Sequence, residues 1–542
     1  MIPGAVPWPK EWEEKYLREC WPNKTFGQVF LESVEKNGDR IAAVEGDVRI
    51  SYRELGEKVK GLACGLMNLG LKPTERVLFQ LPNSLEFFYA YWACHLAGLI
   101  SVMCLPPHRE AELIHLGTQT EASAYMIPDL HRGHDYQDMA KEIQAQCPTL
   151  RHVIVSGDAR EGYLSLGELL ETPRNENQEF PKPDPREVAI LQLSGGTTGI
   201  PKIIPHTHND YIYKNRAIIE WMGFTGKDRM MVPLLFAHNA CLQQMIHPAL
   251  LTGATAVVCP FDPESISRTI EKEKVTYLFT VPPIFYRWLE FPDFAKYDYS
   301  SLRLSMTGAQ KMHPSQAYRV GKELTAVFMQ GFGITEGTHI FPRLTDSEKV
   351  RYETIGRPIS PWDEIRVVDE EGKEVPPGEL GELICRGPYT IRGYYKAEEH
   401  NRKAYDDDGF FWTGDLVRSD EYGNLVIEGR SKDVINRGGE KISAEEVEDL
   451  LIDHPKVNRV AVVAMPDPEL GEKACAYIVP EQGAKPTLRD LTEHLARKKV
   501  AKFKYPERLE LLDAFPYTNV GKVSKKTLRE DVEAKLSKEG GK

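Results

Sequence analysis

"LSGGTTGIPKIIPHTH" occupies Leu193–His208. Its first seven residues hold three glycines, one serine and two threonines, and Pro201 and Lys202 follow. Such a stretch suits neither an ordinary strand nor an ordinary helix. Glycines let successive backbone N–H groups point into one concavity, and such a nest attracts phosphate oxygens. Ser194, Thr197 and Thr198 add hydroxyl donors, and Lys202 adds a point charge. Polyphosphate binding is the functional reading of the loop. It is not the kinase or GTPase pattern G-x-x-x-x-G-K-[ST]. Gly199 is followed by Ile200, Pro201 and Lys202, no Ser or Thr follows the lysine, and Pro201 has no N–H to give.

Outward from this loop, apolar β-branched runs alternate with helical patterns. "RVLFQL", "LISVMCL", "RHVIVSG", "EVAILQL", "MMVPLL", "TAVVCP" and "VTYLFTV" read as short buried strands. "YRELGEKVKGLACGLMNLG" and "PESISRTIEKEK" read as helices between strands. The alternation predicts an α/β protein with largely parallel, doubly wound sheets. From about Ile365 the texture becomes short strands with Gly- and Asp-rich turns, as in a small antiparallel or barrel-like unit. After "GRSKD" a further stretch reads helix, strand, strand, helix, enough for a small α+β domain. The expected organisation is a domain over 1–430, a hinge near 431–433 and a domain over 433–542.

The bulk numbers limit the function. The chain has 542 residues and a formal net charge of -12. That balance argues against a general nucleic-acid binder and against docking on an anionic membrane. The longest apolar patch, "FFYAYWACHLAGLISVMCL", is interrupted by His95 and reads as a buried helix running into a strand. The N-terminus lacks the pattern of a secretory signal. Nine cysteines at irregular spacing, with no C-x-x-C, fit reduced thiols in a cytoplasmic protein.

Further motifs follow the loop in a fixed order: "MTGAQ" (306–310), "QGFGITEG" (330–337), "WTGDL" (412–416), "GRSKDVINRGGEKIS" (429–443) and "PYTNVGKVSKK" (516–526). With "LSGGTTGIPK" they resemble the adenylate-forming superfamily of acyl- and aryl-CoA synthetases, peptide-synthetase adenylation domains and luciferases. The resemblance covers the chain from about residue 190 to its end. It implies an ATP site built from Ser194, Gly195, Gly196, Thr197, Thr198, Gly199, Lys202, Gly308, Ala309, Gln310, Phe332, Gly333, Asp415 and Arg430. Phe332 offers an aromatic face to the purine. Thr335 donates to a phosphate oxygen, and Glu336 holds Mg²⁺, a hard ion suited to carboxylate and phosphate oxygens. Asp415 accepts the ribose hydroxyls, with Arg430 beside it. Lys522 is the candidate catalytic cation, reaching the substrate carboxylate and the α-phosphate. Lys525 and Lys526 read as solvated. Lys432 matches the hinge about which relatives rotate the small domain. Gly438, Gly439 and Lys441 belong to the face used in the thiol step.

"PLLFAHNACLQQ" (233–244) narrows the acid. Its "AHN" resembles the stand-alone aryl acid ligases of siderophore pathways, such as 2,3-dihydroxybenzoate– and salicylate–AMP ligases. The Asn corresponding to Asn239 contacts the acid there, and His238 shapes the wall. Four positions of the implied pocket depart from that group. Ala240 replaces a tyrosine, Gln244 a small residue, Gly331 a common valine, and His339 a small aliphatic residue. A buried His339 needs a partner, in ligand or protein. The swaps could fit anthranilate, hydroxyanthranilate or a bicyclic acid such as a quinoline carboxylate better than 2,3-dihydroxybenzoate.

The implied reaction activates an aromatic carboxylic acid with ATP to an aryl-AMP, then passes the aryl group to a thiol. The thiol is the phosphopantetheine of a carrier protein or, alternatively, coenzyme A. A P-loop NTPase lacks its G-K-[ST] here. A module that has lost its chemistry is at odds with intact Thr335, Glu336, Asp415, Arg430 and Lys522. Nothing selects a luciferase-like oxygenase.

Overall fold

The computed structural model describes residues 1–173, 178–194, 201–324, 327–437, 440–468, 470–498, 501–518 and 522–540, with backbone alone at 432 and 441. It divides into two compact units. The first comprises Met1–Tyr352, Pro358–Glu364 and Cys385–Phe411, and the second Glu353–Arg357, Ile365–Ile384 and Trp412–Lys542.

The first unit is built on two seven-stranded sheets. One runs in the order Phe328–Gln330, Leu304–Thr307, Tyr277–Thr280, Arg229–Met231, Thr255–Val258, Ile41–Glu45, Val48–Ser51. Its strands pair in parallel except at the final hairpin. The other runs Ile203–Thr207, Val188–Leu193, Ile100–Met103, Arg76–Phe79, Ala124–Pro128, His152–Ser156, Leu164–Ser165. It too is parallel, except where Val188–Leu193 meets Ile203–Thr207. The runs read as buried strands are buried because parallel strands carry helices on both faces. Tyr125, Val155 and Leu191 pack on Leu113, Tyr136 and Ile143 in one of the cores.

Helix boundaries follow capping chemistry. Ser51 and Glu54 form a capping box at the head of Tyr52–Asn68. Thr207 and Asp210 form another at the head of His208–Met222, which Gly223 closes in the left-handed conformation at φ 60. That second helix turns Tyr211, Lys214 and Asn215 into the protein. The patch around His95 is a buried helix, Leu85–Leu96, followed by the strand Ile100–Met103, as read. All nine cysteines are free thiols, eight of them buried. Burial raises the Cys104 thiol to about 12, so it is an inert core atom at neutral pH.

The second unit holds a four-stranded sheet, Glu364–Val368, Gly381–Arg386, Phe411–Ser419 and Leu425–Arg430, and a five-stranded one. The latter packs Ile442, Val462 and Ile478 against Val447, Leu451 and Leu491 of its helices. The hinge expected near 431–433 falls inside this unit, at the short 3-10 turn Ser431–Asp433 between the two sheets. Among the described residues no helix is long and apolar enough to cross a membrane.

Candidate functional site

The glycine-rich loop is carried between two antiparallel strands. Val188–Leu193 pairs with Ile203–Thr207, ending at the register Leu193↔Ile203. The loop's ends clasp each other: Ser194 N–H donates to the Lys202 carbonyl at 2.9 Å, and Lys202 N–H to Ser194 Oγ at 2.9 Å. A P-loop joins a strand to a helix N-terminus. This loop returns into a strand, so a kinase-type site is absent here. Gly195, Gly196, Thr197, Thr198 and Gly199 lie outside the described residues. The Lys202 ammonium lies 2.9 Å from His400 Nε2 and 4.3 Å from the Tyr394 ring centroid.

Tyr394 links this lysine to the next motif, donating its hydroxyl to Glu336 Oε1 at 2.7 Å. The backbone of Thr335 and Glu336 is tied down as well. His206 Nε2 is 2.7 Å from the Thr335 carbonyl, and Ile391 N–H donates to the Glu336 carbonyl at 2.8 Å. Phe332 is half-buried on a short strand opposite Ile340. Ala309 stands at φ 67, a conformation unfavourable for a side-chain-bearing residue, in the exposed turn after Leu304–Thr307 with Gln310 beside it. Strain of this kind persists where surrounding structure enforces it, and it clusters at functional sites.

In the second unit Asp415 and Arg430 are direct cross-strand partners. Arg430 Nε donates to Asp415 Oδ1 at 2.7 Å and Nη2 to Oδ2 at 3.1 Å. The two residues read as the ribose pair are thus brought together by sheet register. Lys522 is exposed; its N–H donates to Thr518 Oγ1 at 3.1 Å and its carbonyl accepts from Thr518 N–H at 2.7 Å. Lys525 corrects an expectation. It is not solvated but half-buried, pairing with the half-buried Glu448 at 2.7 Å, because the helix Lys525–Gly540 packs on the five-stranded sheet. Lys526 is exposed, 3.8 Å from Glu530. Lys432 and Lys441 are described in backbone only, and Gly438 and Gly439 lie outside the described residues.

The residues read as the acid pocket lie in the first unit. His238 caps the short helix Asn239–Cys241, its Nδ1 accepting from Ala240 N–H at 3.2 Å. Asn239 is buried, and its Oδ1 accepts from the Tyr211 hydroxyl and from Gln243 Nε2, each at 2.9 Å. His339 has the protein partners expected of it: Nε2 lies 2.6 Å from Gln243 Oε1 and Nδ1 2.9 Å from the Gly337 carbonyl. Burial, and after it the Lys214 charge, hold His339 well below the ordinary histidine range, so it is neutral and has one N–H to share between these two oxygens. Gln243 and Gln244 sit on a π-helical turn, Leu242–Ile246, a distortion frequent at functional sites. Gln244 is engaged too, accepting from the Tyr277 hydroxyl at 2.7 Å. The volume vacated at Gly331 is already filled: a Cβ there would lie 2.0 Å from Met306 Cε and 2.7 Å from Phe341 Cδ1. Gly333 lets the His339 ring approach, since its Cβ would sit 2.9 Å from that ring.

Sequence reading missed Tyr211, Lys214 and Gln243. Lys214 is fully buried, and burial lowers its ammonium to about 7 against the pull of Asp210 and Glu336. The available signal was the spacing of His206, Asp210 and Lys214, four residues apart, which sets the last two on one helix face. That face points inward, a fact periodicity alone does not carry.

Comparison with known proteins places these motifs. The family model for AMP-binding enzymes matches residues 30–395, and that for the AMP-binding enzyme C-terminal domain matches 446–522. The 2,3-dihydroxybenzoate-AMP ligase of Bacillus subtilis is 42% identical over 539 residues, 99% of both chains. Pyochelin synthase PchD of Pseudomonas aeruginosa is 41% identical, over 99% of this chain and 97% of its own. The anthranilate CoA ligase AuaEII, solved with anthranoyl-AMP, superposes with a TM-score of 0.86 at 25% identity, over 95% of this chain and 98% of that one. The two-sheet α/β architecture, the loop between antiparallel strands and the Asp415–Arg430 pair therefore belong to a member of the AMP-binding enzyme family.

Proposed function

We propose that this enzyme activates an aromatic carboxylic acid with ATP, forming an aryl-AMP and pyrophosphate, and then transfers the aryl group to the phosphopantetheine thiol of a carrier protein. The observation that carries this reading is the full-length likeness to an enzyme named for making an aryl adenylate. Coenzyme A as the thiol is a second reading, favoured by the likeness to an anthranilate CoA ligase.

In the first step a carboxylate oxygen attacks the α-phosphorus and pyrophosphate leaves. Both reactants are anions, so the chain's task is to hold them together in line. Asp415 accepts the ribose hydroxyls, and Arg430 fixes the carboxylate's orientation from the other side. Phe332 lends a face to the purine. The glycine-rich loop and Thr335 donate to the phosphates. Lys522 stands between the attacking carboxylate and the α-phosphate, where its charge offsets the crowding of negative oxygens. Asn239 and His238 hold the aryl acid. A magnesium ion, when bound, neutralises charge on the leaving pyrophosphate. Glu336 is the residue that would hold it, with one oxygen engaged by Tyr394. Among the described residues no group of three or more His, Cys, Asp or Glu side chains could hold the ion by itself. In the second step the thiolate attacks the acyl carbon and AMP leaves. We place Gly438, Gly439 and Lys441 on that step, with the small domain over 433–542 turning about Lys432.

The test is product analysis by mass spectrometry after incubation with ATP, Mg²⁺ and a mixture of aryl and fatty acids. An aryl adenylate is expected. Formation of ADP, or of a fatty acyl adenylate alone, contradicts the reading.

A further inference from the structure

The first unit holds a buried cation that the adenylation chemistry above does not employ. Lys214 is 0% exposed, on the inner face of His208–Met222. Its Nζ lies 4.4 Å from the Tyr211 ring centroid and 3.5 Å from His206 Nε2. The second contact is not a good hydrogen bond. At 3.5 Å it is at the outer limit of a hydrogen bond, and the Thr335 carbonyl crowds the same His206 Nε2 at 2.7 Å. The carboxylates whose charge reaches Lys214 are Asp210 and Glu336. Asp210 spends Oδ1 on His206 and Oδ2 on Thr207 N–H and Oγ1. Glu336 accepts from Tyr394. At least two of its three N–H donors are thus buried without a well-placed acceptor among the described residues, which is costly unless something else completes the site.

The surroundings indicate what completes it. The Tyr211 ring beneath the ammonium ends in the hydroxyl that donates to Asn239. Gln243 joins Asn239 to His339. The cation therefore stands in the same connected wall as Asn239 and His339. The wall's amide oxygens are already engaged, Asn239 Oδ1 twice and Gln243 Oε1 by His339. A ring hydroxyl or amine would bring a proton with no acceptor waiting for it. A substituent with lone pairs and no proton accepts from the Lys214 N–H groups and favours the charged form of an amine that burial has lowered to about 7.

We propose that Lys214 is a specificity-determining residue, and that the acid activated by this enzyme carries a second, acceptor-only group, either a ring nitrogen or a second carboxylate, which the Lys214 ammonium engages. The inference rests on the aryl acid reading of the pocket and names the substituent it selects.

The experiment measures binding of picolinate, quinaldate, phthalate, benzoate and salicylate by calorimetry, to the wild-type protein and to Lys214→Met and Lys214→Gln, with pyrophosphate exchange run in parallel. At least one acceptor acid is expected to bind tenfold or more tighter than benzoate and salicylate. That ratio is expected to fall at least tenfold in both variants. The ring-nitrogen and dicarboxylate arms tell the two acceptors apart. Lys214→Met is expected to melt at or above the wild-type temperature, since it removes a buried charge and keeps all but the last atom of the chain. Three results overturn the proposal: no preference in the wild type, equal weakening of all acids in the variants, or a Lys214→Met melt far below wild type. The first leaves Lys214 without a selected group. The second assigns it to the shared carboxylate, and the third makes it a structural residue. Silent exchange with an intact acceptor preference would remove the adenylation reading and leave this one standing.

Discussion

Replacing Asp415 with alanine separates a ribose-binding role from a structural one. The side chain is 7% exposed and its partner Arg430 is 40% exposed. The backbone arrangement survives the change, because Asp415 N–H donates to Thr413 Oγ1 and the strand pairing to Arg430 does not need the carboxylate. Arg430 stays open to solvent once the carboxylate is gone, so no charge is left buried and loss of the pair costs only about 1 kcal/mol of stability. A loss of that size lowers the melting temperature by roughly 2–4 °C in a unit of this scale. Two ribose hydroxyls donating to an ionised carboxylate contribute far more, about 1.5–3 kcal/mol each, so kcat/KM for ATP falls roughly 10²- to 10⁴-fold. The assay is pyrophosphate exchange against ATP concentration at saturating acid, with a thermal melt on the same preparation. A fall of less than tenfold in kcat/KM, or a melt that collapses in step with activity, refutes the ribose assignment.

Lys522→Ala is expected to abolish adenylation while ATP binding, followed by calorimetry, changes little; near-normal exchange would show that Lys522 has no part in the step. Gly331→Val puts side-chain atoms where Met306 and Phe341 already pack, and overpacking of this kind costs about 1–3 kcal/mol. Its melt should drop and be restored by adding Met306→Ala; an unchanged melt would mean the space is open. His339→Ala leaves Gln243 Oε1 without its partner, so the ranking of acids in exchange assays should change; an identical ranking would place His339 outside the pocket. Acidification should destabilise the fold. Burial depresses His95, His108, His208, His247 and His339, with His108 at about 4 and His208 and His247 at about 3. Each contributes stability that is complete above the unfolded value near 6.5 and is lost as pH falls toward the folded value. Asp363, raised to about 8 by burial, acts in the opposite sense, as do Glu45, Glu382 and Glu448, but these carboxyls are fewer than the depressed histidines. Melting temperature should therefore fall steadily from pH 6.5 to pH 5, and a flat profile would contradict the neutral, buried state of these rings.

The fold was legible because its signals are local. β-branched runs such as "VTYLFTV" mark strands buried on both faces, and "SYRE" and "THND" are capping boxes whose reciprocal bonds form within four residues. The grouping of the candidate residues was legible where a motif holds them close in the chain, as with "GFGITE", or where a short hairpin aligns them, as with Asp415 and Arg430. What escaped reading depends on long-range packing. Met306 fills the space at Gly331 from a neighbouring strand. Lys525 looked solvated until the helix it begins brought it to Glu448, far back in the chain. Gln243 carries no local mark of joining Asn239 to His339, 96 residues on. Lys214 carries no mark of its own in the sequence, because helical periodicity is shared by buried and exposed faces alike.

ATP–pyrophosphate exchange across 2,3-dihydroxybenzoate, salicylate, anthranilate, 3-hydroxyanthranilate, quinaldate, benzoate and a medium-chain fatty acid tests aryl acid activation most directly. Exchange dependent on one or a few of the aryl acids, and absent with the fatty acid, is the expected result. Exchange with the fatty acid alone would leave adenylation intact and contradict the pocket built around Asn239, and no exchange with any acid would contradict the activity itself.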